Sequence, residues 1–266
     1  MTKKRRPVLT AVLSLLMPGL GHLYAGDLRR ALSLIGIEYG VILVAGIFGI
    51  LSTFYGIAVL IALGVVFYVY VISSSVRLAL NNKEYELKSY NRWYWYILAF
   101  VTMSVLTNIL VSFRGDILGY ETYRIPAKSM EPTLQVGDFI TVNTRYTKPK
   151  VGDVIVFLYP KDRSIPYVKR VAALGNDTVS ISDGLVIRNG EPENLLLVPE
   201  DRRQRDYSIS MDKVEVQNNE VFLLGDWRDN SNDSRFWGTV PVDDIIGKVT
   251  YIWFSKDVAR IGLAVE

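Results

Sequence analysis

The sequence has no cysteine and a single histidine, His22, among its 266 residues. The absence of cysteine excludes disulfides, thiolate zinc sites, iron–sulfur clusters and thiol nucleophiles. One histidine excludes a histidine cluster around a metal, and it excludes a Ser-His-Asp triad unless His22 itself lies at the active site. Acid–base chemistry near neutral pH must then come from a carboxylate or a lysine with a shifted pKa.

Hydrophobic residues, by contrast, make up half of the chain, which is rich for a water-soluble protein. Three apolar stretches, residues 31–51, 54–72 and 93–113, each have about 20 residues, the length that spans a bilayer at 1.5 Å per residue. Residues 8–24 are also apolar, but Pro18 and the glycines after it interrupt them, which predicts an interfacial or re-entrant hairpin. Residues 1–115 are therefore predicted to form an α-helical membrane anchor.

Charge is distributed unevenly between the two parts of the sequence. The first 115 residues hold 11 lysines and arginines against four acids, and the remainder holds 19 against 23. The basic residues of the first part form three clusters, Lys3–Arg6, Arg29–Arg30 and 77–92, beside the apolar stretches. All three clusters face the cytoplasm if 8–24 does not cross the membrane, which places residues 116–266 outside the cytoplasm. A basic stripe interleaved with aromatic residues is absent from the sequence of the second part, so we expect no nucleic acid partner.

Residues 116–266 consist of short β-prone runs separated by Gly, Asp, Asn and Pro, which predicts a mainly β domain of antiparallel sheets or a partly open barrel. The predicted strands are 139–143, 154–158, 167–172, 178–182, 185–188, 220–224 and 247–254. Asp183-Gly184 and Asn189-Gly190 are turn signals, and the first lies between two predicted strands. Residues 189–219 are predicted to be an irregular, solvated insertion.

Without histidine or cysteine, a serine paired with a lysine is the available nucleophile–base combination in this domain. Ser129 stands out because Pro126 and Pro132 stiffen the segment that carries it, just before a predicted strand. Its alternative interpretation is an ordinary serine in a turn.

Lys169 is the corresponding candidate base. In a strand it shares one face with Tyr167, while Arg170 points to the other face. Burial on an inward face can lower a lysine pKa by ~3–5 units and leave a neutral amine at neutral pH. The alternative is a lysine at a strand edge that reaches solvent.

A third segment, 225–239, combines aspartates, arginines and serines within a short loop. Its arginines and tryptophans interrupt the ligand positions of a calcium loop, and no glutamate closes it. A rigid, salt-bridged support for a neighbouring site fits the mixture of charges better.

At these segments the sequence resembles the type I signal peptidases, the membrane-bound serine–lysine proteases that remove signal peptides from exported proteins. The matching stretches are Ser129-Met-Glu-Pro-Thr-Leu134, Val151-Gly-Asp-Val154, Tyr167-Val-Lys-Arg-Val171 and 225–238. They follow in the order of the family and cover most of residues 120–254.

The resemblance implies a role for each matching residue. Ser129 is expected to be the nucleophile, with its backbone N–H in the oxyanion hole, and Lys169 the general base. Ser231 is expected to orient Lys169, and Asp233 and Arg235 to form the salt bridge that stiffens the loop. Neither a cofactor nor a metal is expected.

The resemblance also implies a substrate and a location. We expect cleavage of signal peptides after small-x-small sites, contact with the bilayer surface and the secretion translocon, and a bacterial inner membrane as the location. The apolar stretches and the basic clusters predict that the anchor in this membrane is multi-pass, with the catalytic domain on the periplasmic side. Ala127 departs from the family, where a serine at this position often assists the oxyanion hole. Two alternatives stay open: a peptidase dedicated to a pilin-type or conjugation-type substrate, and a non-catalytic scaffold that binds signal peptides.

Overall fold

The computed structural model describes residues 2–82 and 85–265. The chain forms two compact units, Met1–Leu118 and Gly119–Glu266. The division lies three residues beyond the predicted end of the anchor.

The first unit is helical. Its helices are α1 (Pro7–Leu16), α2 (Leu20–Ala25), α3 (Leu28–Ile47), α4 (Phe54–Asn81), α5 (Trp93–Ser112) and α6 (Arg114–Leu118), and its short strands β1 (Thr2–Lys3) and β2 (Tyr85–Glu86) pair antiparallel. Among the described residues, α3, α4 and α5 have the length and hydropathy of membrane spans. Helix α4 continues nine residues beyond the predicted stretch. A serine in this extension packs against another helix of the unit, with Ser75 Oγ 2.8 Å from Ser14 Oγ of α1.

Helix α1 has its polarity reversed relative to a helix on the surface of a water-soluble protein. Thr10 and Ser14 are buried, whereas Val8 and Leu15 are largely exposed. Such an arrangement suits a hydrocarbon environment, where exposed apolar side chains carry no penalty and hydroxyls need protein partners. His22 of α2 is likewise buried, with Nε2 2.6 Å from the Ser74 Oγ of α4.

The second unit is built from antiparallel sheets, as the sequence predicts. Its strands are β3 (Tyr120–Arg124), β4 (Phe139–Asn143), β5 (Val154–Tyr159), β6 (Asp162–Leu174), β7 (Thr178–Ser182), β8 (Leu185–Arg188), β9 (Glu191–Pro192), β10 (Met211–Glu215), β11 (Glu220–Leu224), β12 (Val240–Pro241) and β13 (Ile245–Phe254), with the short helices α7 (Asp206–Ile209) and α8 (Ser234–Trp237). Within residues 119–265 the larger sheet has the order β12-β11-β6-β5-β13-β4-β3, and the smaller one β10-β7-β8-β9.

Two-residue turns connect three consecutive strands of the smaller sheet. Asp183 and Gly184 join β7 to β8, and Asn189 and Gly190 join β8 to β9. All four residues have positive φ, the backbone conformation of type I′ hairpin turns, which explains the Asp-Gly and Asn-Gly pairs.

The structure differs from the prediction in the segment 189–219. Residues 211–215 form β10 and pair with β7, with Val214 opposite Val179. Val214 also packs against the buried core between the sheets. Local sequence missed this strand because polar residues separate its two apolar positions.

Candidate active site

Ser129 lies on a 3₁₀ turn, Lys128–Met130, between β3 and β4. The residues around it anchor this turn: Ile125, Met130 and Leu134 are buried in one core cluster with residues of β4, β5 and β13. Ser129 itself is half-buried. The core therefore fixes the turn on both sides while its serine stays accessible.

Strand β6 brings Lys169 to this turn. Its backbone pairs opposite Ile155 of β5, and its side chain is only 4% exposed. Lys169 Nζ lies 3.0 Å from Ser129 Oγ and donates to the Val168 carbonyl at 2.9 Å. The two residues that the sequence singles out, forty positions apart, are thus in hydrogen-bond contact.

The environment of Lys169 lowers its pKa to about 8. Burial is the main cause, because it penalises the ammonium form. The nearby carboxylates of Asp233 and Asp226 act in the opposite direction, and the Arg235 guanidinium adds to the lowering. At pH 7 about a tenth of such lysines carry a neutral amine, which is able to accept a proton.

Asp233 and Arg235 form the buried ion pair that the sequence predicts. Arg235 Nε donates to Asp233 Oδ1 at 2.7 Å, and a second guanidinium nitrogen donates to Oδ2 at 2.9 Å. Asp233 also accepts the Gly225 backbone N–H at 3.0 Å, and Arg235 donates to the Arg228 carbonyl at 2.6 Å. This pair therefore holds both ends of the loop 225–238 together.

Ser231 lies in the same loop and is 6% exposed. Its Oγ has no hydrogen-bond partner within the described part of the chain, so the expected bond to Lys169 is not formed in this structure. A Cβ on Gly225 would lie 2.1 Å from this Oγ and 2.6 Å from the Ser129 carbonyl oxygen. Only glycine at position 225 allows the loop to approach both serines so closely.

A second ion pair, for which the sequence gives no motif, lies on the opposite face of β6. Arg170 donates to both carboxylate oxygens of Asp226, at 2.9 and 2.8 Å, and to the Gly152 carbonyl at 2.6 Å. Thr133 Oγ1 donates to the same carboxylate at 2.5 Å. Arg170 therefore ties β6 to the segments that carry Ser129 and the loop. The position of Arg170 directly after Lys169 is the feature of the sequence that could have indicated this supporting role.

The segment 189–219 supports the loop, although its sequence predicts a solvated insertion. The Asp229 carboxylate accepts the backbone N–H groups of Gln204 and Arg205 at 2.8 and 3.0 Å. Tyr207 Oη donates to the Asp229 carbonyl at 2.6 Å, and Arg228 donates to the Leu196 carbonyl at 2.8 Å. Through these contacts the segment 189–219 packs against the loop and supports it.

A cleft of about 480 Å³ opens beside the pair. One side is formed by 123–130 and the other by 165–169, with Asn230 and Asn232 at one end. Strand β11 pairs with β6 only from Arg170 onward, so the preceding residues of β6 present a strand edge to the cleft. Such an edge can bind an extended peptide through main-chain hydrogen bonds.

The fold and the site define a β-rich domain with a serine–lysine pair, the arrangement of a hydrolase that needs no histidine. The family model described as signal peptidase, peptidase S26, matches residues 92–254. The chain belongs to this family.

Individual relatives agree with this assignment. "Probable signal peptidase I-1" of Synechocystis is 37% identical over 142 residues, which cover 49% of this chain and 69% of the relative. "Signal peptidase I" of Pseudomonas aeruginosa is 33% identical over 223 residues, covering 65% and 75%. A crystal structure of a signal peptidase I from Enterococcus faecalis shares 27% identity, covers 40% of this chain and 99% of that one, and superposes with a TM-score of 0.35.

Proposed function

We propose that this chain is a membrane-bound serine endopeptidase that cleaves N-terminal signal peptides from exported preproteins after small-x-small sites, with Ser129 as the nucleophile and Lys169 as the general base. The observation that carries the two roles is the 3.0 Å contact between Ser129 Oγ and a buried lysine whose pKa is about 8. Membership of the signal peptidase family supports the substrate class.

The proposed reaction begins with neutral Lys169, which takes the hydroxyl proton of Ser129 as Oγ attacks the scissile carbonyl. The Ser129 backbone N–H stabilises the oxyanion. The ammonium of Lys169 then gives its proton to the leaving amine, the C–N bond breaks and an acyl-enzyme remains. A water loses its proton to the neutral lysine as it attacks the ester. The ammonium then returns this proton to Ser129 Oγ as the ester C–O bond breaks, which releases the signal peptide and regenerates the free serine.

Three further residues are given supporting roles in this proposal. Ser231, with its buried hydroxyl close to Gly225, is available to accept a hydrogen bond from the Lys169 ammonium. Asp233 and Arg235 hold the loop that carries Ser231. Their charges act on the pKa of Lys169 in opposite directions, since Asp233 raises it and Arg235 lowers it. All three act through Lys169 and do not touch the substrate.

The substrate is proposed to bind as an extended strand in the cleft beside β6, with its small side chains in the pockets of the cleft. Ile125 and Val168 line this cleft, and both sides consist largely of apolar groups. An apolar cleft suits the small apolar side chains that precede a signal-peptide cleavage site.

The anchor is proposed to be multi-pass, in a bacterial inner membrane, with an interfacial or re-entrant hairpin at 8–24 and the catalytic domain on the periplasmic side. The three basic clusters support this orientation. On the catalytic domain, Phe236, Trp253 and Phe254 are exposed, which supports contact with the bilayer surface. The secretion translocon is proposed as a further partner, since it delivers exported chains.

The test of the catalytic proposal uses the full chain in detergent with a preprotein substrate. Ser129→Ala and Lys169→Ala are each expected to lower kcat at least about a thousandfold. Ser182→Ala and Lys213→Ala, exposed residues of the smaller sheet, are matched controls and should cleave normally. Cleavage unchanged by Ser129→Ala or Lys169→Ala would overturn the roles, and binding without cleavage by the wild type would favour the scaffold alternative.

The breadth of the substrate set is a separate question. N-terminal sequencing of exported proteins after depletion of this chain distinguishes general processing from a dedicated pilin-type or conjugation-type substrate. Accumulation of many uncleaved preproteins is the expected result.

A further inference from the structure

We propose that the membrane anchor holds one anionic phospholipid, with an acyl chain in a cavity between α2, α3 and α5 and its phosphate against the arginines at the starts of α3 and α5. The inference rests on the proposal that the anchor lies in a bilayer, and it does not depend on the catalytic roles.

The cavity has a volume of about 470 Å³ and an almost entirely apolar lining. Residues at helical spacing supply two of its walls: Leu28, Ala31 and Ile35 from α3, and Trp95, Ala99 and Met103 from α5. Their spacing places each set on one face of its helix. The small side chains of Ala31 and Ala99 leave the space between the two faces.

Specific hydrogen bonds fix the spacing of the helices that form the walls, so the cavity is a defined part of the structure. Beyond its inner end, Tyr39 Oη of α3 donates to the Met103 carbonyl at 3.2 Å and lies 2.6 Å from Thr107 Oγ1. At the opposite end, near the starts of α3 and α5, Tyr90 Oη donates to the Gly26 carbonyl at 2.8 Å, and Asn91 Nδ2 donates to the Leu23 carbonyl at 3.0 Å. These bonds tie α3 to α5 and the segment before α5 to the end of α2.

The turn before α2 is fixed in the same way. Gly19, which lines the cavity, has φ +91°, and a Cβ there would lie 2.7 Å from the Ala31 carbonyl oxygen. Glycine thus allows the turn before α2 to pack directly against α3. Because the turn, which forms the third wall of the cavity, already contacts α3, it has no room to move inward and fill the space.

The size and lining of the cavity favour a hydrocarbon chain as its occupant. One turn of an α-helix, about 10 Å wide and 5.4 Å long, fills roughly 400 Å³, so the cavity would accept only about one turn of a peptide helix. Water is also a poor occupant, because the lining offers few polar partners. A flexible acyl chain can enter from the open side, where Leu32 and Leu98 are exposed.

The charge at one end of the cavity selects the headgroup. Arg29 and Arg30 directly follow Leu28, and Arg92 precedes Trp95 by less than one helical turn. Asp27 offsets only part of this charge, through its 3.5 Å contact with Arg30. Trp95 lies at the same end, and tryptophan prefers the headgroup level of a bilayer. Among the described residues, the cavity lining itself contains no arginine, but all three arginines lie within three residues of the lining residues Leu28 and Trp95. There they can attract the phosphate of a lipid whose acyl chain enters the cavity.

The test uses the purified full chain and native mass spectrometry, with phosphatidylglycerol and phosphatidylcholine of identical chain length as probes. We expect one phosphatidylglycerol to stay bound at detergent concentrations that strip all other lipid, and phosphatidylcholine to bind at least about fivefold more weakly. Because the readout is lipid mass, its failure is distinguishable from a failure of peptide cleavage.

Variants assign the binding to this cavity. Ala99→Phe fills it and should lower phosphatidylglycerol retention at least tenfold, and the smaller Ala99→Leu should lower it in part. Val105→Phe, on an exposed position of α5 outside the cavity, is the matched control. Arg29→Gln with Arg92→Gln should reduce phosphatidylglycerol binding to the level of phosphatidylcholine, a loss of at least about fivefold, whereas Arg77→Gln should not.

Three outcomes would overturn the proposal. Retention by folded Ala99→Phe and Ala99→Leu equal to that of the control would exclude the cavity. Equal retention of both lipids by the wild type would exclude the headgroup selection. Native mass spectrometry could instead show a bound peptide in place of lipid, absent from Ala99→Phe. This result would show that the cavity binds a helical partner and not a phospholipid.

Discussion

Gly225 lies against Ser231 so closely that a Cβ on the glycine would come within 2.1 Å of the serine Oγ. The same Cβ would meet the carbonyl oxygen of Ser129 at 2.6 Å. One glycine therefore controls how closely the loop packs against the nucleophile turn, although it carries no chemistry of its own.

Gly225→Ala should lower kcat about a hundredfold, because the loop or the turn must shift by a large part of an ångström, and such misplacement costs about two orders of magnitude. The expected loss of stability from overpacking is about 1–3 kcal/mol. Steady-state kinetics and thermal unfolding of the full chain measure both effects. Gly40→Ala, where a Cβ meets nothing within 4 Å, is the control. A variant with unchanged kcat would show that the close contact is dispensable.

The pH dependence of cleavage should follow the amine of Lys169. Because the proposed base is the neutral form, kcat/KM should rise about tenfold per pH unit below about pH 8 and level off above it. Initial rates between pH 6 and 10 on a soluble peptide substrate measure the profile. A profile that is flat from pH 6 to 8 would contradict the role of Lys169.

Charge substitutions in the loop should move that profile in opposite directions. The Asp233 carboxylate stabilises the Lys169 ammonium, so Asp233→Asn should lower the lysine pKa and move the rise to lower pH. Removing the positive charge of Arg235 with Arg235→Gln should move it to higher pH. Each change breaks a buried ion pair and should cost about 3–5 kcal/mol of stability, so the rates are measured well below each unfolding temperature. Shifts in the same direction would refute this electrostatic account.

Ala127→Ser should fold normally and keep or raise turnover. Ala127 is exposed just before the nucleophile turn, so a hydroxyl fits there and can donate to the oxyanion. One such donor is worth up to about 3 kcal/mol in the transition state. The measurement is kcat beside the unfolding temperature, and a sharp fall in kcat with unchanged folding would count against the assigned position of the oxyanion hole.

Local sequence patterns predicted much of the β domain because strands and tight turns depend on neighbouring residues. The alternation around Lys169 predicted its buried face, and Asp183-Gly184 predicted a hairpin whose turn has the required positive φ. Strand β10 was missed, since its pairing with β7 and its core contacts join distant parts of the chain.

The candidate site shows the same limit. Ser129 and Lys169 were singled out by local context and by the resemblance, but the network that places them was not. Arg170 and Asp226 are 56 positions apart, and the contact between Asp229 and Arg205 spans 24. Neither contact has a periodic signature in the sequence, because only the folded domain brings these residues together.

The reversed polarity of α1 changes how substitutions in this helix should be judged. In a water-soluble protein, a serine in place of exposed Val8 or Leu15 would be unremarkable, and a leucine in place of buried Ser14 would look like an improved core. In the proposed membrane position of α1, the exposed positions face hydrocarbon, while the buried hydroxyl contacts Ser75. Positions that tolerate substitution in a water-soluble protein are then the sensitive ones, and the reverse. A stability-guided redesign that assumes water outside would therefore damage the anchor at the very positions it meant to improve.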